Sequence, residues 1–147
     1  MTTFKSLSSE ETKKFAEALA KKILKRGPAK HAVVLALKGD LGAGKTTFTQ
    51  GFYKGLGLKT RVTSPTFILM RRTALKRAKF KNVFHLDFYR IHKISEIPIT
   101  YFQQIIQLPE NIILIEWPER AARMMPKNAT RINFLHGARE NERIIRY

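Results

Sequence analysis

Eight residues near position 40 combine the residue types that bind a phosphate. Gly39 to Thr46, "GDLGAGKT", match the pattern G-x-x-x-x-G-K-[ST] at every fixed position. Glycines let consecutive backbone N–H groups turn toward one anion, and Lys45 adds a positive charge for the β- and γ-phosphates. The Thr46 hydroxyl suits Mg²⁺, and the next backbone N–H is expected near the α-phosphate. We therefore predict a nucleoside triphosphate site at Gly42, Ala43, Gly44, Lys45, Thr46 and Thr47.

Two carboxylates follow apolar runs further along the chain. Glu116 comes directly after "IILI", the place of the acid that serves Mg²⁺ in phosphate-loop enzymes, and Asp87 lies in "HLDFYR". Phosphoryl transfer needs an acid for the metal and a group that orients the nucleophile. Either acid fits either role, and the alternative for each is a surface or ion-paired carboxylate with Arg90 or Arg120 as its partner.

His85 lies two residues before Asp87, so the two side chains share a face of the predicted strand. We expect an ion pair or a packing role for His85, because no second histidine lies at metal-ligand spacing.

The phosphate-binding loop requires a buried strand before it and a helix after it. The continuous apolar run 31–37, "HAVVLAL", predicts a strand that is covered on both faces. A helix is expected from near Lys45 to Gly55 or Gly57. An earlier helix begins at Ser8, where Ser8 and Glu11 have capping-box spacing, and ends at Gly27-Pro28.

The rest of the chain alternates between strand and helix patterns. This alternation predicts an α/β fold of the P-loop NTPase type, with a mostly parallel central sheet, an antiparallel portion and flanking helices. The length of 147 residues predicts one domain, 1–147. Strands are expected at 67–71, 82–91, 111–116, 130–135 and 143–147, the last two as a hairpin, with helices near 99–108 and 118–126. A basic turn or short hairpin connection, "TALKRAK", is expected at 73–79.

The composition is strongly basic. Lys and Arg number 28 against 11 Asp and Glu, which gives a net charge of +17 and a field that attracts polyanions. The basic segment 71–79 is open to two interpretations: it contacts nucleic acid, or it only covers a hairpin. Without cysteine, disulfides and thiolate metal sites are excluded. No apolar run is long enough to span a bilayer and no signal-peptide pattern is present, so we expect a cytoplasmic protein without a membrane partner.

Four segments, taken in order, resemble one known family. "GDLGAGKTTFTQGF", "SPTF", "HLDFYR" and "IEWPE" are similar to the TsaE (YjeE) family of small bacterial P-loop ATPases. The resemblance implies that ATP and Mg²⁺ are the cofactors. It also implies ATP hydrolysis in the service of N6-threonylcarbamoyladenosine at position 37 of tRNA. The implied partner is a TsaD–TsaB pair, which transfers the threonylcarbamoyl group and is reset by ATP hydrolysis. The chain would then act on tRNA only indirectly. A direct contact between tRNA and the basic surface is a second possibility.

The same resemblance implies roles for particular residues. Thr46 and Glu116 would hold Mg²⁺, Lys45 would act on the phosphates, and Asp87 would be a catalytic or metal-proximal acid. The segment 64–66, "SPT", is similar to a switch loop near the γ-phosphate.

Three further contacts with the nucleotide region are implied. Trp117 follows the metal acid and is expected beside the site. The family carries a Gly-Arg pair in its last hairpin, whereas this chain has Gly137-Ala138-Arg139, one residue longer, so Arg139 is the expected contact. The start of the first helix, around 10–12, is expected near the adenine.

Two other classes of function are compatible with the motifs. A small-molecule P-loop kinase could use the basic "RRTALKR" as an arginine lid. A nucleic-acid-binding module with a vestigial phosphate loop would need an exposed aromatic side chain on which bases stack.

Overall fold

The structure is a computed structural model that describes residues 1–77 and 79–147. It confirms the α/β fold: a seven-stranded mixed sheet accompanied by helices. The hydrogen-bonded strand order is β1-β7-β6-β2-β5-β4-β3. The elements are β1 Thr3–Ser6, α1 Ser9–Arg26, β2 Val33–Lys38, α2 Lys45–Gly55, β3 Met70–Arg77, β4 Phe80–Asp87, α3 Ile99–Gln107, β5 Asn111–Glu116, β6 Thr130–His136 and β7 Arg143–Arg146, with 3₁₀ segments at Ile94–Glu96 and Pro118–Met124.

The chain divides into two compact units, and the single domain expected over 1–147 stays a prediction. The first unit comprises 1–26, 37–64 and 131–147. Here β7 pairs antiparallel with both β1 and β6, and α1 packs along α2. Phe48 and Phe134 meet edge to face in its core, with ring centroids 5.4 Å apart.

The second unit comprises 27–36 and 65–130. Here β4 pairs antiparallel with β3 and parallel with β5, in a register that runs from Asn82 beside Asn111 to Asp87 beside Glu116. Phe88 and Phe102 pack together in its apolar core. The parallel pair therefore brings the carboxyl ends of two buried strands, and both predicted acids, to one edge.

The segment after Ser64 differs from the prediction. The strand expected at 67–71 is wrong for its first three residues, because Ile68 N–H bonds to Pro65 O and Met70 N–H bonds to Ile68 O, which makes tight turns. The basic turn or short hairpin connection expected at 73–79 is wrong for 73–77, which continue β3. Lysine and arginine suit an exposed edge strand. Ala78, within that predicted turn, lies outside the described residues.

Both predicted helices of the first unit are confirmed. Ser8 Oγ accepts the backbone N–H of Glu11 at 3.2 Å, and α1 ends before Gly27, as its capping pattern predicts. Strand β1 was not predicted, because its four residues are too few to show an alternating pattern. In the described part of the chain, no helix combines the length and the apolarity needed to cross a membrane.

Candidate nucleotide-binding site

The loop between β2 and α2 has the backbone geometry of a phosphate cradle. Gly42 and Gly44 have φ of 73° and 104°, the left-handed region that side chains with a Cβ rarely adopt. Gly44 is also the N-cap of α2, with no side chain to cap the helix. The first N–H groups of a helix have no intrahelical acceptor, and the helix dipole is positive there. The start of α2, at Lys45, Thr46 and Thr47, therefore presents donors for an anion.

Lys45 is a cation held inside this loop. Its side chain is buried, and its ammonium donates to the carbonyl oxygens of Gly39 at 2.6 Å and Asp40 at 2.9 Å. These bonds fix the ammonium over the loop, where the sequence pattern predicts the β- and γ-phosphates.

Arg143 contacts the same loop and was missed by the sequence analysis. From the start of β7, its guanidinium donates to Gly42 O from Nη2 at 3.0 Å and from Nε at 3.3 Å. Nη1 donates to the carbonyls of Glu140 and Glu142 at 2.6 and 2.8 Å. Nothing in the local sequence marks this contact. Arg139 lies exposed in the turn before β7, and its expected nucleotide contact stays a prediction.

A small polar cavity lies beside the loop. It has a volume of about 80 Å³, and the beginning of α1 forms one wall. The expected approach of residues 10–12 to the adenine stays a prediction. The lining residues are Ser8, Ser9, Thr12, Gly42, Gly44, Thr47, Asn141 and Arg143. A more open cavity of about 500 Å³ lies on Thr46 and Gln50 and is otherwise lined by 60–64.

The two predicted acids lie next to each other in the second unit. Asp87 and Glu116 end β4 and β5 as direct partners in the parallel register, and each side chain is only 3% exposed. Neither is a surface carboxylate. Burying a carboxylate is costly unless it is hydrogen-bonded or near a positive charge, so both need dedicated partners.

Asp87 has an ordered set of hydrogen bonds. Its Oδ2 accepts from the Thr66 hydroxyl at 2.6 Å, and its Oδ1 accepts from the backbone N–H of Tyr89 at 2.8 Å. Its own N–H donates to Leu69 O at 2.9 Å. The carboxylate is therefore held in one orientation, and Thr66 of the "SPT" segment is one of its supports.

Glu116 pairs with a histidine rather than with an arginine. His85 Nε2 lies 2.8 Å from Glu116 Oε1, and His85 is 1% exposed. The spacing in the sequence predicts that His85 and Asp87 share one face of the strand. The polar partner of its ring is instead Glu116, which ends the neighbouring parallel strand two positions beyond the residue opposite His85.

Trp117 directly follows Glu116 and has a left-handed backbone, with φ of 56°. Its ring centroid lies 5.0 Å from that of Tyr89. The left-handed residue turns the chain sharply after β5 into the 3₁₀ segment at Pro118. Trp117 thus shapes the edge at which the acids lie, while its nucleotide contact stays a prediction.

Thr46 and Glu116, one in each unit, carry oxygen atoms of the kind that bind Mg²⁺. A hydroxyl from Thr46 and the carboxylate of Glu116 are hard oxygen donors, and the bond from His85 uses one of the two carboxylate oxygens. Among the described residues, no group of three or more His, Cys, Asp or Glu could hold a metal unaided. Mg²⁺ typically binds one or two protein ligands plus water and substrate phosphates. The chemistry of each residue fits that cation, and their joint binding of Mg²⁺ stays a prediction.

Comparison with known proteins decides the family. A family profile described as "Threonylcarbamoyl adenosine biosynthesis protein TsaE" matches residues 6–145. The chain belongs to the TsaE family. Its relatives include the proteins named "tRNA threonylcarbamoyladenosine biosynthesis protein TsaE" from Bacillus subtilis and Haemophilus influenzae. The Bacillus subtilis protein is 34% identical, over 98% of this chain and 83% of its own length. The Haemophilus influenzae protein is 34% identical, over 82% of this chain and 71% of its own length.

A solved structure agrees with the TsaE assignment. The crystal structure of YdiB from Bacillus subtilis superposes with a TM-score of 0.71 at 31% sequence identity, covering 98% of this chain and 82% of YdiB. The family is named for the biosynthesis of threonylcarbamoyladenosine in tRNA, and this TsaE-family chain is assigned to that pathway.

Proposed function

We propose that this chain binds and hydrolyses ATP as an accessory protein of tRNA threonylcarbamoylation, acting on a TsaD–TsaB complex. Family membership supports the pathway. The observation that carries hydrolysis is the pair of buried carboxylates, Asp87 and Glu116, side by side at the ends of parallel strands. A chain that only bound nucleotide would have no need for two oriented, buried acids.

Binding rests on the loop and the start of α2. The N–H groups of Gly44 to Thr47 receive the phosphates, and the Lys45 ammonium neutralises charge between the β- and γ-phosphates. Arg143 holds the Gly42 carbonyl, which fixes the loop in its open curve. Thr46 and Glu116 would hold Mg²⁺, which when bound offsets the negative charge of the phosphates.

Hydrolysis rests on Asp87. A water oxygen attacks the γ-phosphorus, the bond from that phosphorus to the β–γ bridging oxygen breaks, and ADP and phosphate result. Asp87 accepts a hydrogen bond from the attacking water and orients it. Because Thr66 and the Tyr89 N–H fix the carboxylate, the orientation is set before substrate arrives.

The test is steady-state ATP hydrolysis by the purified chain, alone and with a TsaD–TsaB pair from the same organism. We expect slow release of phosphate alone and a clear increase with the pair. The pair without this chain is the control for its own ATPase activity. No increase with a pair of demonstrated transfer activity contradicts the accessory role.

The kinase alternative predicts phosphate transfer to a small molecule rather than release. Residues 71–77, which could have formed an arginine lid, belong to β3, and 71–74 and Arg77 pair with β4. Release of inorganic phosphate without any added acceptor separates the two functions in the same assay.

A further inference from the structure

The segment between Ser64 and β3 folds as two successive tight turns. Ile68 N–H donates to Pro65 O at 3.0 Å, and Met70 N–H donates to Ile68 O at 2.7 Å. Leu69, at the centre of the second turn, has φ of 64°, which is costly for a residue with a branched side chain. Such a backbone persists only where its surroundings hold it.

Asp87 forms hydrogen bonds with the residues that flank 67 and 68 in the chain. Thr66, just before them, donates its hydroxyl to Asp87 Oδ2, and Leu69, just after them, accepts the Asp87 N–H. The two residues between the anchors project away. Phe67 is 83% exposed and Ile68 is 58% exposed.

Arg90 completes the projecting surface. Its guanidinium carbon lies 4.2 Å from the centroid of the Phe67 ring, in the geometry of a cation–π contact. Within the described part of the chain, no salt bridge uses Arg90. Its positive charge is therefore available to an outside group.

We call the surface formed by Phe67, Ile68 and Arg90 the Phe67 tip. We propose that the Phe67 tip docks into a pocket on a partner protein, and that this pocket is apolar inside and has carboxylates at its rim. The proposal rests on the proposed function and assigns the tip to the TsaD–TsaB complex. Two adjacent large apolar side chains suit a pocket, and interface hot spots are enriched in aromatic and arginine residues. Arg90, which forms no salt bridge within the described residues, and the net charge of +17 both favour an acidic partner.

Docking of the tip also reaches the catalytic acid. Phe67 is covalently next to Thr66, whose hydroxyl bonds to Asp87. When the partner pocket takes up Phe67, it restrains the adjacent Thr66, so that the hydrogen bond from Thr66 to Asp87 stays closed throughout the reaction. Thr66 is thus a positioning residue through which a partner raises the rate of hydrolysis.

The first experiment compares the double variant Phe67→Ala, Ile68→Ser with wild type. Both side chains are exposed, so the variant should fold as wild type does, and its basal rate of ATP hydrolysis should stay within about twofold of the wild-type rate. Affinity for TsaD–TsaB, measured by biolayer interferometry, should fall about tenfold or more. Arg90→Gln should weaken binding less. The matched control is Leu108→Ser, which removes a 44% exposed apolar side chain from the same unit and should bind as wild type does.

Three outcomes overturn the proposal and can be told apart. Binding by the double variant equal to wild type rejects the tip while leaving the proposed function intact. If the double variant loses affinity for tRNA, measured by fluorescence anisotropy, and keeps its affinity for TsaD–TsaB, the tip binds RNA and not the protein partner. Failure of wild type itself to bind an active TsaD–TsaB pair rejects the proposed function and the tip together.

The second experiment tests the coupling through Thr66. We expect Thr66→Val to bind TsaD–TsaB with unchanged affinity but to lose the partner-dependent increase in kcat, whereas Thr66→Ser, which keeps the hydroxyl, restores it. An undiminished increase in Thr66→Val contradicts the coupling.

Discussion

At the scale of single residues, Lys45 is expected to make the largest contribution of one side chain to nucleotide binding. Its ammonium is bound by two carbonyls of its own loop, and its side chain is buried. In Lys45→Ala, we expect ATP affinity to fall by about tenfold to a hundredfold, because a charge facing the β- and γ-phosphates is lost. Isothermal titration calorimetry measures the affinity. Lys38→Ala removes an exposed lysine at the end of β2 and is the control; equal affinities of the two variants would contradict the role of Lys45.

Glu116 is expected to affect hydrolysis more than binding. Glu116→Gln keeps the shape of the side chain and removes the negative charge that would face Mg²⁺. We expect the rate of phosphate release to fall by about a hundredfold or more, with ATP affinity changed by less than about threefold. Glu119→Gln, at an exposed position three residues later, is the control. A normal rate in Glu116→Gln would show that the metal assignment is wrong.

The sequence predicts the residues of a contiguous motif better than the hydrogen bonds between distant parts of the chain. The loop residues 42–47 follow from one contiguous pattern, and both acids follow from their places after apolar runs. The bond from His85 to Glu116 depends on the register of β4 and β5, and the bond from Arg143 to Gly42 joins positions 101 residues apart. No local periodicity encodes either contact.

At the scale of secondary-structure elements, the contact between α1 and α2 depends on a glycine. A Cβ at Gly51 of α2 would lie 2.3 Å from the carbonyl oxygen of Lys13 in α1, so the backbones must move apart. We expect Gly51→Ala to lower the free energy of unfolding by about 1 to 3 kcal/mol, despite the better helix propensity of alanine. Urea denaturation measures the change. Gln50→Ala, at the exposed neighbouring position, should change it by less than about 0.5 kcal/mol.

The turn between β6 and β7 is expected to be sensitive to acid. Glu142 lies 3.1 Å from the Lys5 ammonium and is almost fully covered, and the hydrogen bond from Lys5 holds the pKa of Glu142 below its usual value. A lowered pKa in the folded state contributes stability above the unfolded-state pKa, which is lost as pH falls through the folded-state value.

In Glu142→Gln, we therefore expect a lower Tm than in wild type near pH 7 and a difference that closes below about pH 4. Thermal unfolding followed by circular dichroism across this range measures it. Glu140→Gln, in the exposed part of the same turn, should follow wild type at every pH. A Tm difference that does not depend on pH would assign the loss to packing rather than to the charge.

Helices and strands with a regular spacing of apolar residues were predicted. Elements whose bounds depend on contacts with other segments were not. Helices α1 and α2 and strand β5 follow from their apolar spacing and their flanking breakers. The apolar "FILM" run at 67–70 favoured a strand too early, because hydrogen bonds to Asp87 turn that segment outward. Strand β3 instead carries arginines and lysines, since an edge strand has one side to solvent.

At the scale of the whole molecule, the net charge of +17 should control association more than dissociation. Electrostatic attraction to an acidic partner raises the rate of encounter and is screened by salt. Between about 50 and about 500 mM NaCl, we expect the association rate constant with TsaD–TsaB to fall roughly tenfold, while the dissociation rate constant changes less.

Surface plasmon resonance over a salt series measures both rate constants. Repeating the series with Phe67→Ala is the control, because loss of that ring should raise the dissociation rate without changing the salt slope. A salt-independent association rate would mean that the basic surface takes no part in reaching the complex.

The bond from Arg143 to Gly42 has a consequence for how the chain is made. A ribosome adds about 5 to 20 residues per second, so residue 143 follows residue 42 by on the order of 5 to 20 s. During that interval the glycine loop has already been synthesised but lacks the guanidinium that holds its curve. Nascent chains should therefore compete poorly for cellular ATP, and the loop matures only after the final hairpin has emerged from the exit tunnel.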